Sequence, residues 1–155
     1  MAKCYQLIGV PGSGKSTWAS CQEWVEDIVY ISTDRHVEIY AKEQGKTYSE
    51  VFTEYMPRAV ELMAEEVVAA REAGRDVIWD QTSTTLASRT RKFNMLPDYY
   101  HIAIVFRTPE HTELMRRLAS RWDDGKIIPE HVIASMIASW EDPTKEEGFK
   151  EIWFV

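Results

Sequence analysis

The stretch Cys4-Tyr5-Gln6-Leu7-Ile8-Gly9-Val10-Pro11-Gly12-Ser13-Gly14-Lys15-Ser16-Thr17 places an apolar run directly before a complete G-x-x-x-x-G-K-[ST] motif. A buried strand that ends in a glycine-rich turn and runs into a helix points successive backbone N–H groups inward. With the positive end of the helix dipole, these groups form a cradle for phosphate oxygens. Gly12 and Gly14 permit dihedrals and close approaches that a Cβ forbids. Lys15 is placed to reach the β and γ phosphates of a nucleotide such as ATP, and the Ser16 hydroxyl to ligate the Mg²⁺ that bridges them, with Ser13 and Thr17 in the same nucleotide-binding run. The competing reading is an ordinary glycine turn capping a helix.

The remaining sequence limits what such a loop can serve. A chain of 155 residues with 45% hydrophobic content is long enough for one well-filled core and too short for two, so a single domain over 1–155 is expected. The net charge of −7 gives no overall attraction to nucleic acid or anionic membrane, so a polyanion would need a local basic groove. Cys4 and Cys21 have neither metal-ligand nor redox spacing and fall in the first predicted strand and helix. No signal-peptide-like stretch or membrane-length apolar run occurs, so a reduced, cytoplasmic setting without membrane contact is expected.

Short apolar runs alternate with longer stretches of helical period, with no repeat or linker between them. Strands are predicted at 5–9, 28–32, 77–79, 101–106 and 151–154. Helices are predicted at 15–24, at 35–44, at 48–73 with a break or kink at Pro57, at 86–95 and at 110–121. A last helix opens at Pro129 with Val132, Ile133, Met136, Ile137 and Trp140 on its apolar face. Residues 122–126 read as a mobile loop. The strands are nearly continuous in apolar character, as in sheets covered on both faces, which implies a doubly wound five-stranded parallel α/β sheet of the P-loop NTPase type.

Val77-Ile78-Trp79-Asp80 is an apolar strand ending in a carboxylate, the pattern of a second Mg²⁺-holding element opposite Ser16. Helix capping is the alternative role for Asp80. Gln81 follows it, so the Asp-Glu pair by which many ATPases polarise water is absent, and the single asparagine, Asn94, excludes an N-K-x-D guanine motif. Transfer to an acceptor other than water remains. Asp34, just past the second strand, is placed to take the proton of an acceptor hydroxyl, with an N-cap as its alternative role. Arg117 and Arg121, four residues apart, share a helix face away from Leu114 and Leu118, as a helical lid presents arginines to phosphates. A merely solvated basic face is the alternative. A passive nucleotide-binding module needs neither Asp34 nor this arginine pair.

Together, the run from Ile8 to Ala19, Asp34, the two lid arginines and Ile128-Pro129-Glu130-His131-Val132-Ile133-Ala134-Ser135-Met136 resemble the kinase domain of phage polynucleotide kinases over almost the whole chain. The resemblance implies a P-loop kinase with a helical lid that transfers the ATP γ-phosphate to the 5′-hydroxyl end of DNA or RNA. Lys15 and Ser16 would then serve phosphate and Mg²⁺, Asp34 would be the general base, and Arg117 and Arg121 would act from the lid. The sequence departs from the family in three places. The family's arginine three residues after the base is Val37 here, which leaves Arg35 and Arg89, or Arg58, Arg91 and Lys92, as candidate acceptor-binding cations. The family's Asp-x-Thr-Asn tendency is Asp80-Gln81-Thr82-Ser83. The D-x-D-G-T phosphatase segment often fused to this kinase is not in the sequence, so 3′-end healing is not expected. Tyr40, Tyr48, Phe52 and Tyr55 fall on the acceptor side, either stacking on bases or packing a helical pair. A kinase for a modified-base hydroxyl, a nucleoside or another small alcohol is the nearest alternative.

Overall fold

The computed structural model describes residues 1–22 and 27–155. Five strands, β1 (Lys3–Ile8), β2 (Val29–Ile31), β3 (Val77–Asp80), β4 (Tyr100–Val105) and β5 (Glu151–Phe154), form one sheet in the order β2-β3-β1-β4-β5. Every neighbouring pair is parallel. Successive side chains of β1 turn to opposite faces. Cys4 packs with Val77 and Trp79 beneath Met63, Val67 and Ala70 of α3 (Tyr48–Glu72), while Leu7 packs with Ile78 and Ile104 against Ala19 of α1 (Lys15–Cys21). All four residues of β3 are buried, as the continuous apolar run predicted. The expected α1 residues beyond Gln22 lie outside the described residues.

Side-chain caps fix where the helices start. Ser32 caps α2 (Thr33–Glu43), accepting from the Arg35 N–H, and Thr85 caps α4 (Leu86–Met95) in a capping box with Ser88. Neither Asp34 nor Asp80 is therefore used as a cap. Three expectations are corrected. The helix α3 runs through Pro57 without a break, because Pro57 and Thr53, the residue whose carbonyl loses its partner, are both on the exposed side. The helix expected at 110–121 ends earlier, as α5 (His111–Ala119), and Trp122–Asp124 forms a 3₁₀ turn. Residues 125–127 are tied down rather than loose: Ser49 N–H donates to the Gly125 carbonyl (3.1 Å) and Ile127 N–H to Ser49 Oγ (2.9 Å).

Arg89 also departs from expectation, because its side chain is fully buried instead of facing an acceptor. Its Nε donates to Glu147 Oε1 at 2.5 Å and its Nη1 to the Ser83 carbonyl at 3.0 Å, which ties α4 to the segment before β5. Removing one partner of a buried pair leaves the other charge uncompensated. Arg89→Ala is therefore expected to lower the unfolding free energy by about 3–5 kcal/mol in urea titrations. Unchanged stability would contradict the structural role.

Candidate functional site

The carboxyl ends of β1, β3 and β2 lie side by side, so the segments leaving them converge on one edge of the sheet, where open α/β folds bind ligands. From β1 comes the glycine loop. Gly12 has φ +83°, and a Cβ there would sit 3.0 Å from Leu114 Cδ1 and 3.2 Å from Leu118 Cδ2, so α5 can press against the loop only because this residue is glycine. Val10, Leu114, Leu118 and Ile133 form the apolar cluster under that contact, the last contributed by α6 (Glu130–Ala138).

Lys15 is buried, and its ammonium donates to the carbonyls of Gly9 (2.9 Å) and Val10 (3.0 Å), leaving its third proton unassigned to the loop. Burial pulls its pKa down to about 8, against the opposing influence of the Asp80 and Asp34 carboxylates. Asp80, at the end of β3, accepts from Ser16 Oγ at 2.9 Å and from the Tyr30 hydroxyl of β2. Ser16 and Asp80 thus bring hydroxyl and carboxylate oxygens together, a hard donor set that could hold a Mg²⁺ ion.

Asp34, in the first turn of α2, faces this loop across the cleft. Its Oδ1 accepts from the Tyr48 hydroxyl at 2.6 Å and its Oδ2 from Lys126 Nζ at 3.0 Å. Partial burial disfavours the carboxylate, but the Lys126 charge, both hydrogen bonds and Lys15 outweigh it and hold the group below the usual aspartate range. Asp34 and Asp80 line one cleft of about 330 Å³. Its walls come from Pro11 of the glycine loop, Tyr48, Phe52 and Met56 of α3, and Ile127, Ile128 and Pro129 before α6.

On the lid, Arg117 donates to the Gly12 carbonyl at 3.1 Å and to Glu113 at 2.8 Å, which places it on the glycine loop. Arg121, just past α5, is partly buried, and its charge acts on both Lys15 and Tyr48. Arg116 instead faces solvent and pairs with Glu113. Of the acceptor candidates, Arg35 is held by Glu66 at 2.8 Å, with His36 on the same carboxylate, and Arg58 pairs with Glu61 on an exposed face. Neither lines the cleft. The four aromatics divide: Tyr40 stacks on Tyr55 (3.9 Å between centroids) within the α2–α3 packing, while Tyr48 and Phe52 line the cleft. Sequence reasoning missed Lys126, whose only local signal was its place before the Ile-Ile-Pro run.

The chain matches the AAA domain family over residues 6–143 and belongs to that family. Its fold is that of the P-loop kinases. A chain of the Pnkp1/Rnl/Hen1 RNA repair complex is 25% identical, with a TM-score of 0.66 over 89% of this chain and 43% of that one, so this protein spans less than half of that relative. A putative kinase from Chloroflexus aurantiacus shares the fold at 15% identity and TM-score 0.73, covering 99% of this chain and 84% of that one. Chaetomium thermophilum Kti12, solved with ADP-AlF₃, shares it at 12% identity and TM-score 0.60, covering 98% and 88%.

Because Lys15 of the unliganded protein carries its charge below a pKa of about 8, ATP affinity should fall as pH rises through 8. Titration calorimetry of the wild type and Lys15→Ala on both sides of that pH checks this. Lys15→Ala should bind weakly throughout and show no such step, while affinity independent of both pH and Lys15 would contradict the assignment.

Proposed function

We propose that this protein is a phosphotransferase that moves the γ-phosphate of ATP to the 5′-hydroxyl of a polynucleotide. The observation that carries this reading is the single cleft shared by the glycine loop, Asp80 and Asp34. A hydroxyl entering beside Asp34 meets a carboxylate that still has lone pairs to spare after accepting from Tyr48 and Lys126. As the acceptor oxygen bonds to the γ-phosphorus, its proton passes to Asp34, and the bridging bond breaks with its electron pair left on the diphosphate. Lys15, Arg117 and Arg121 provide cationic stabilisation around the transferring group. Ser16 and Asp80 would hold Mg²⁺, which neutralises charge between the β and γ phosphates. The 25% identity to a chain of an RNA repair complex supports a nucleic-acid acceptor.

The cleft also limits how the acceptor is gripped. It is of nucleoside size, and Lys126, already shared between Asp34 and Glu38, is the one Lys or Arg among its described lining residues. Recognition is thus centred on the terminal nucleoside, with Phe52 and Met56 as an apolar wall, rather than on a long run of phosphates. Contacts to few phosphates give a shallow dependence of affinity on salt. Steady-state kinetics on 5′-hydroxyl oligonucleotides of increasing length at several salt concentrations should show similar kcat/KM for short and long acceptors. A steep salt slope with strong length dependence would contradict local recognition. Transfer only to free nucleosides, other small alcohols or hydroxymethylated bases would move the acceptor to that class.

A further inference from the structure

Lys126 sits among more partners than a loop lysine needs. Only 8% of it is exposed, its Nζ is 3.0 Å from Asp34 Oδ2 and 3.7 Å from Glu38 Oε1, and it lies 4.5 Å from the centre of the Tyr48 ring. Lysine is rarely buried this far unless paired, and here two carboxylates and an aromatic face attract the same ammonium. The peptide that carries it is seated with equal care. Gly125 has φ +76°, and a Cβ on it would fall 2.3 Å from Thr47 Cβ, so the chain passes over the start of α3 only as glycine. Ser49 then holds both sides of Lys126: its N–H donates to the Gly125 carbonyl (3.1 Å), and its Oγ accepts from the Ile127 N–H (2.9 Å).

These contacts join the lid to the base. Residues 127–129, which follow Lys126, form a wall of the acceptor cleft, and α6 begins immediately afterwards. We infer that Lys126 is a positioning residue for phosphoryl transfer: seated by the Gly125–Ser49 clamp, it holds the Asp34 carboxylate in place through its ammonium, so that the base faces an acceptor hydroxyl entering the cleft. The inference rests on the reading of Asp34 as the acceptor-side base.

The charge environment has a defined sign. Asp34 is faced by Lys126 from the segment before α6, Lys15 from the glycine loop and the Tyr48 hydroxyl from α3, with Glu38 one turn along α2, while the Arg121 charge acts on Tyr48. Among these, Lys126 is the cation in direct contact, so removing its charge lets Asp34 protonate at higher pH. An aspartate with a proton already on it cannot receive another from the acceptor, and a carboxylate released from one of its two donors is free to rotate.

The test combines a titration that needs no turnover with kinetics. In ¹³C-carboxylate NMR of the whole protein, with the Asp34 signal assigned by its loss in Asp34→Asn, Lys126→Met should move the Asp34 midpoint to higher pH, and Lys126→Arg should move it back. The acidic limb of the kcat–pH profile should shift the same way, with kcat at neutral pH reduced about 10- to 100-fold, the scale of a misplaced catalytic group. Gly125→Ala leaves the lysine in the chain but unseats it against Thr47, and should reproduce the same shift. An unmoved Asp34 midpoint in folded Lys126→Met, or a loss of thermal stability with an unchanged acidic limb, would reduce Lys126 to a structural tether and overturn the inference. If the midpoint moves while the wild type transfers no phosphate to nucleic-acid ends, the inference stands and the acceptor assignment fails.

Discussion

The parallel pairing of β1 between β3 and β4 is the constraint on which the rest of this molecule depends. Both faces of β1 are covered, so its register is fixed by apolar packing, with Cys4 on one side and Leu7 on the other. Because β2, β3 and β1 are adjacent and point the same way, the residues following each strand emerge together. Lys15, Asp80 and Asp34 are far apart in sequence, yet share one edge for that reason. The glycine loop is then held from below by α5, whose Leu114 and Leu118 approach Gly12 closely.

Within that frame the site is a balance of buried charges. Lys15 loses hydration and is drawn towards neutrality, with Asp80 and Asp34 opposing the change. Asp34 is in turn kept ionised by Lys126, Tyr48 and Lys15. The two halves of the cleft are therefore electrostatically linked without touching, and phosphate entering beside Lys15 would add negative charge facing Asp34.

The sheet and the glycine loop were readable in the sequence, because each rests on a local pattern: a buried apolar run and a glycine spacing. Distant partners left no such trace. Arg89 reads as a candidate acceptor-binding cation until Glu147, 58 residues away, is folded against it. Lys126 follows Trp-Asp-Asp-Gly, a composition typical of loose turns, and its position is set by Ser49 and Asp34 from two other elements. Tyr48 and Tyr55 occur on the same helix seven residues apart, and the elements packed against each position send one to the cleft and the other to a stacked pair with Tyr40 of α2. The unbroken helix at Pro57 has a related reason, since the cost of a proline within a helix depends on which side of it faces water.

Asp34 is central to this reading: Ser32, not Asp34, caps α2, so capping does not account for the carboxylate. The direct test is turnover and ATP affinity in Asp34→Asn, whose amide keeps the shape and removes the proton acceptor. The expected result is kcat lower by about 10²–10⁴-fold with the dissociation constant for ATP essentially unchanged. Near wild-type turnover in a folded Asp34→Asn protein would contradict it.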